Sequence, residues 1–182
     1  MVADNQQERL SVAEQKKWFL AGLIEGEGSV CVSIKAHPTA RFGYYVDPEF
    51  FLYQLESNRS VLELASDVFR TGNIRPKPGN ERVLVYSILS RRSLAERVVP
   101  FLNRYMIHSG RKQIYNTFCS IVLEMEQKEH HSQEGLMRIV RKAYHLNPAA
   151  KGKKRKRTLQ EVIERILRDY TPDTDKSLSG KI

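Results

Sequence analysis

Cysteine is scarce in this chain: Cys31 and Cys119 are the two present among 182 residues. They imply no disulfide framework and suit a reducing compartment. Long apolar runs are also lacking. None approaches the roughly 18 residues needed to span a bilayer, so no membrane partner is expected. The N-terminus, with Asp4 and Glu8, lacks the charge-then-apolar order of a signal peptide. The expected location is intracellular, with an organelle (chloroplast or mitochondrion) and a prokaryotic cytoplasm both open. No histidine or cysteine cluster offers a metal site. His130 and His131 are adjacent, with side chains expected to diverge, and Cys119 reads as a core residue. Acidic residues are in deficit, 21 Asp and Glu against 30 Lys and Arg, for a formal net charge of +9. That excess favours a polyanionic partner, nucleic acid first.

The length supports one domain with a full core. The pattern divides the chain into an arm (1–10), a domain (11–147), a basic linker (148–157), a helix (158–170) and a tail of disordered composition (171–182). A first helix is predicted from Val12 to Glu25. After Gly28 the period falls to two, with Val30, Val32 and Ile34 alternating with polar residues. A second strand from Arg41 to Gln54 puts Val46, Pro48, Phe50 and Leu52 on one face, and Pro48 marks an edge or a bulge. A helix capped by Ser57 or Asn58 and ended by Thr71-Gly72-Asn73 follows. Next come a hairpin around Pro78-Gly79-Asn80 and a helix opened by a capping box at Ser93–Glu96. Two more helices, to Lys128 and Tyr144, precede a last one capped by Thr158. Helices and strands in this order predict an α+β fold.

The stretch Leu20-Ala21-Gly22-Leu23-Ile24-Glu25-Gly26-Glu27-Gly28 organises the rest. Upstream, Ser11-Val12-Ala13-Glu14 has the form of a capping box. The helix it opens carries Val12, Trp18, Phe19, Leu20, Leu23 and Ile24, apolar on more than one side, and so must be covered on two sides. Ala21, Gly22 and Gly26 lack bulk, although Gly costs roughly 1 kcal/mol against Ala in a helix interior. Small residues in that setting predict close helix–helix contact. Glu25 and Glu27 then fall at the C-terminal end, where the helix dipole disfavours negative charge and a cation is the natural remedy.

These nine residues resemble the LAGLIDADG motif of homing endonucleases, with Glu at both acidic positions and Gly between them. The resemblance implies an αββαββα core with an antiparallel DNA-binding sheet, covering about residues 11–128, and extra C-terminal helices beyond it. It implies paired motif helices. With one copy in the chain, that means a homodimer, with Leu20, Ala21, Gly22, Leu23 and Ile24 at the interface. Glu27, at the eighth motif position, is then the metal-binding carboxylate and the Gly26 carbonyl its companion ligand. The family also places a polar residue at the end of the second strand, matched by Gln54. A base further on maps to Arg111 or Lys112, with Lys112 favoured, and Asn58 or Arg59 is a further contact. Glu25 either joins the site or caps the helix.

Two Glu27 carboxylates meeting near a two-fold axis repel, and either take up a proton or recruit a cation. Hard oxygen ligands suit Mg²⁺, shared with phosphate oxygens and water, which serves phosphodiester hydrolysis. Ca²⁺ is expected to permit binding without cleavage. Arg111 or Lys112 offsets charge on the pentavalent phosphate.

A β-ribbon fits the major groove. Ser29 to His37 at about 3.3 Å per residue span roughly 30 Å. Since half-sites mirror the protein two-fold, two subunits read a near-palindrome of about 18–22 base pairs of double-stranded DNA. Candidate contacts are Ser33, Lys35, His37, Arg41, Tyr45, Arg75, Lys77 and Arg82. Lys153, Lys154 and Arg155 form a strap over phosphates, a nuclear-localisation-like patch or a connector. Asp47, Glu49, Phe51 and Tyr53 share the reading face. Either they contact bases, or a bulge at Pro48 shifts the register by one. The expected activity is a metal-dependent, site-specific double-strand break by an intron-encoded protein that promotes intron mobility. The alternative is a non-cleaving protein on the same scaffold. It would bind intron RNA as a maturase, by stacking on Tyr44, Tyr45 and Phe51, or DNA as a regulator.

Overall fold

Ser11 starts the first helix, its Oγ accepting from the Glu14 N–H at 3.2 Å. Glu14 does not complete the predicted box. Its carboxylate accepts instead from the Tyr105 hydroxyl, at 3.0 and 2.9 Å, and from Lys17 at 2.8 Å. A partner from a distant helix outcompetes the local one.

The computed structural model describes residues 10–146 and 156–168. Helix α1 (Val12–Glu27) leads directly into β1 (Gly28–Ala36), followed by β2 (Tyr44–Leu55), α2 (Arg59–Phe69), β3 (Asn73–Lys77) and β4 (Asn80–Ile88). Helix α3 (Arg91–Ser93) passes through a π-helical segment (Leu94–Val98) into α4 (Val99–Tyr105), and α5 (Lys112–Glu126), α6 (Gln133–Leu146) and α7 (Leu159–Leu167) complete the described chain. The expected α+β plan is present. The strands form one antiparallel sheet in the order β1-β2-β4-β3.

Alternation buries Val30, Val32, Tyr44, Val46, Phe50 and Leu52 on the helix side of the sheet. Pro48 makes no bulge: it faces Val32 in a register that runs unbroken from Gly28↔Leu52 to Ala36↔Tyr44. Within β2 the pairing with β4 covers Phe50–Leu55, so residues 44–49 have a strand on one side alone. That half of β2 is an edge, where a residue without an N–H is tolerated. A row of aromatic contacts carries the core from sheet to helices. It runs from Phe50 to Phe69 (5.6 Å between centroids), to Phe101 (5.0 Å), to Tyr105 (4.8 Å) and on to Trp18 (5.0 Å).

Several boundaries differ from the pattern. β2 begins at Tyr44, because Arg41 sits in a turn closed by Gly43 at φ 76°. α2 ends on Arg70 in the left-handed region (φ 52°) rather than on Gly72. Asn58 makes no side-chain cap, and its amide nitrogen donates instead to the Gln54 Oε1 at 3.3 Å. Ser90, not Ser93, caps the next helix, and Glu96 pairs with Arg92 at 2.7 Å. The Thr158–Glu161 box is complete. His130 and His131 do not diverge. Their rings meet edge-on at 4.3 Å, with His130 anchored against Arg91 at 3.0 Å. Burial, aided by the Arg91 charge, pulls His130 down to about 4. Cys119 is a core residue. α7 joins the same core through Val162, Ile163 and Ile166. The arm, the tail, and Lys153, Lys154 and Arg155 lie outside the described residues.

Gly28 joins helix to strand where no side chain fits. A Cβ there would stand 2.5 Å from the Ile24 carbonyl oxygen and 2.8 Å from its Cγ2. Gly28→Ala should cost about 1–3 kcal/mol, as overpacking does. Urea denaturation checks this, and an unchanged midpoint would contradict the junction described.

Candidate active site

An α-helix leaves its last carbonyls unsatisfied and carries partial negative charge at that end. In α1 the Ile24 carbonyl accepts from the Gly28 N–H and from the Tyr115 hydroxyl at 3.2 Å. Arg111 Nη1 donates to the Gly28 carbonyl at 2.7 Å and reaches that of Glu25 at 3.5 Å. Its guanidinium lies over the Tyr115 ring, 5.2 Å from the centroid. Arg111 is thus the cation that the acidic helix end demands. The Glu25 carboxylate is taken by the Ser109 hydroxyl, whose oxygen accepts from the Arg111 N–H at 2.9 Å. Glu25 fastens the 109–111 turn to the helix. Neither Ser109 nor Tyr115 was singled out from the sequence, where no local pattern marks a contact across more than eighty positions.

Glu27 ends the helix exposed, beside exposed Gly26, and among the described residues no donor reaches its carboxylate. Lys112 is the exposed first residue of α5, next to the bound Arg111. Gly28 faces Leu52, so Tyr53 and Gln54 run on alongside the last residues of α1. Arg111 is bonded to the junction that Glu27 ends, Lys112 follows it in sequence, and Gln54 lies two residues past Leu52 with its side chain bonded to Asn58. A carboxylate and a backbone carbonyl are hard oxygen donors, and they fit a divalent cation that keeps water or phosphate ligands. No three His, Cys, Asp or Glu residues converge among the described residues, so none forms such a cluster with Glu27.

The expected helix interface needs correction. Leu20 and Ile24 are 0% exposed and Ala21 5%, all turned into the chain's own core. The open stripe of α1 is Phe19, Gly22 and Gly26, at i, i+3 and i+7, with Leu23 half-buried beside it against the chain's own core. Phe19 is 56% exposed, and a Cβ at Gly22 or Gly26 would meet nothing within 4 Å.

The sheet face away from the helices carries Ser33, Lys35, Tyr45, Asp47, Glu49, Phe51 and Tyr53. Lys35 pairs with Asp47 at 2.9 Å, both exposed. Tyr45 packs on His37 at 4.9 Å between ring centroids. Lys77 lies over the Tyr53 ring at 5.3 Å, and Arg75 faces Val85. Phe51, Tyr53, Arg75, Lys77, Val85 and Ser87 help line a cavity of about 380 Å³. Two candidates leave this face. Arg41, in the turn, donates to the His131 carbonyl at 3.2 Å and lies over Phe42 at 5.1 Å. Arg82 alternates in phase with buried Leu84 and Tyr86, near the hairpin tip. Tyr44 is buried on the opposite face from Tyr45 and Phe51, with Arg165 over its ring at 5.3 Å, so these three form no common platform. Cys31 Sγ donates to Glu49 Oε2 at 3.3 Å, and Ser33 Oγ donates to the same oxygen at 2.9 Å. Burial, then Glu49, pushes the Cys31 thiol up to about 12.

The profile of the LAGLIDADG endonuclease family matches residues 20–122. The homing endonuclease I-ApeII of Aeropyrum pernix is 32% identical over 150 residues, covering 81% of this chain and 88% of that protein. The DNA endonuclease I-CeuI of Chlamydomonas moewusii is 44% identical over 100 residues. That match covers 55% of this chain and 46% of I-CeuI, so the chain spans about half the length of that relative. Among solved structures, the archaeal intron-encoded homing endonuclease I-Vdi141I, complexed with DNA, is similar with a TM-score of 0.78 at 31% identity, covering 85% of this chain and 96% of that one. With the motif on α1, the four-stranded antiparallel sheet beside it and a family match over more than half its length, the chain belongs to the LAGLIDADG endonuclease family.

Proposed function

We propose that this protein is an intron-encoded homing endonuclease. As a homodimer it makes a metal-dependent double-strand break in a long, near-palindromic DNA target. The observation that carries this reading is the Glu27 carboxylate, exposed at the negative end of a helix and without a partner among the described residues. A small-residue stripe lies open beside it. Close approach of two such stripes through Gly22 and Gly26 brings both helix ends near the two-fold axis.

Glu27 and the Gly26 carbonyl would hold a divalent cation, Mg²⁺ in this reading, which supplies Lewis-acid polarisation of the scissile phosphate and a more acidic water. Lys112, free of the helix-capping duty that occupies Arg111, places positive charge where the phosphate gains negative charge. Gln54 offers an amide to orient water or a phosphate oxygen, with Asn58 holding its side chain. Arg111, Ser109 and Tyr115 fix the helix end and so the position of Glu27. The sheet face, with Ser33, Lys35, His37, Tyr45, Arg75 and Lys77, lies in the major groove of each half-site. Surface ion pairs such as Lys35–Asp47 are worth only about 0–1 kcal/mol, so Lys35 can exchange its partner for a phosphate.

Glu27→Gln should lower the cleavage rate by about 10²–10³-fold or more, the scale for loss of one preorganised charge-stabilising group. Site affinity measured in Ca²⁺ should stay within a few-fold. Retained cleavage would contradict the metal assignment. Gly22→Leu should leave the protomer folded, because the position faces open space, and should convert dimer to monomer in sedimentation velocity. An unaffected dimer would contradict the α1 interface.

A further inference from the structure

A carboxylate on a surface that approaches phosphates is electrostatically costly, and β2 places two there, Asp47 and Glu49. The structure treats them differently. Asp47 is neutralised by Lys35 at 2.9 Å. Among the described residues no cation pairs with Glu49, although Lys35 lies near enough to feel its charge. One oxygen, Oε2, accepts from Cys31 Sγ at 3.3 Å and from Ser33 Oγ at 2.9 Å, and among the described residues Oε1 receives no protein donor. Both donors come from β1, where Cys31 is the direct cross-strand partner of Glu49 and Ser33 lies one step along the same face. Two neutral donors hold the side chain in one orientation without cancelling its charge. The rotamer freedom that a flexible side chain loses on binding is thereby lost in advance.

We propose that Glu49 is a base-reading residue. Its free Oε1 accepts from the N4 amino group of one cytosine in each half-site, with Cys31 and Ser33 as positioning residues. The inference rests on the reading that this sheet face enters the major groove. An ionised carboxylate only accepts. Guanine presents O6 and N7 there, and thymine O4 and a methyl group, so neither offers a donor. Adenine offers N6, but its N7 lone pair sits beside it and repels the carboxylate. Cytosine offers N4 with only a C–H as neighbour. A negatively charged reader whose second oxygen is already bonded is therefore matched to cytosine.

The test is selection of a randomised duplex library by the full chain in Ca²⁺, with sequencing of the bound fraction, for the wild type, Glu49→Gln and Cys31→Ala/Ser33→Ala. The wild type should select a two-fold-symmetric site with cytosine at one position in each half. Glu49→Gln should select the same site with adenine there, because a Gln amide pairs with adenine N6 and N7, a change of preference of about 5- to 150-fold. Cys31→Ala/Ser33→Ala keeps the carboxylate and should weaken the cytosine preference at that position, beyond any change at a base that Ser33 itself meets. If both variants select the wild-type site at every position, with at most a uniform change in affinity, Glu49 is a sheet residue and the proposal is overturned. A wild-type chain that enriches no duplex would overturn the groove-binding reading, and this inference with it.

Discussion

The bond from the Arg111 guanidinium to the carbonyl of Gly28 holds the rest of the site in place. Helix α1 brings Glu25 and Glu27 to the end where its own dipole is negative, and Gly28 then starts a strand with no intervening loop. Left to itself such a junction would fray. Arg111 meets it from the start of α5, stacked on Tyr115, which donates to the Ile24 carbonyl, while Ser109 binds Glu25. Charge that would open the helix end is used to attach it to a helix more than eighty residues away. Glu27, by contrast, meets no donor among the described residues.

The same junction sets the two surfaces on which the proposed function depends. Because β1 continues directly from α1, the rotation of the helix fixes which face of the strand turns away from the core. Leu20, Ala21 and Ile24 turn inward, Leu23 packs half-buried against the same core, and the Phe19, Gly22, Gly26 stripe is left open. The unbroken β1–β2 register then puts Cys31, Ser33 and Lys35 across from the Glu49, Asp47 and Tyr45 side of β2. One helix thus governs the open stripe, the position of Glu27 and the sheet face turned away from the core, the three features on which the proposed function draws.

Period and motif carried the order of elements, the alternation of both long strands and the location of Glu27. These are local properties, set by residues within a turn or two of each other. What escaped were choices between competing partners. Glu14 has the spacing for a capping box but bonds Tyr105, and Asn58 has the type for a cap but bonds Gln54. The motif names the apolar residues of α1 without showing which side its own chain covers, and Leu20, Ala21 and Ile24 lie in that chain's core rather than on an open face. Arg111 and Lys112 differ by one position and were ambiguous in sequence. The distance from Arg111 to the Gly28 carbonyl separates a clamp from an exposed charge. The suspected bulge at Pro48 dissolves once β4 is seen to stop at Phe50, because pairing on the far side of a strand is a non-local fact.

The most direct test of the central claim is a cleavage assay on a randomised duplex library with Mg²⁺, repeated with Ca²⁺ in its place. Discrete double-strand cuts in one long, near-palindromic sequence, with Mg²⁺ and not with Ca²⁺, are the predicted result. Retention of a sequence without cutting in either metal would contradict the account and leave a binding protein on an endonuclease scaffold.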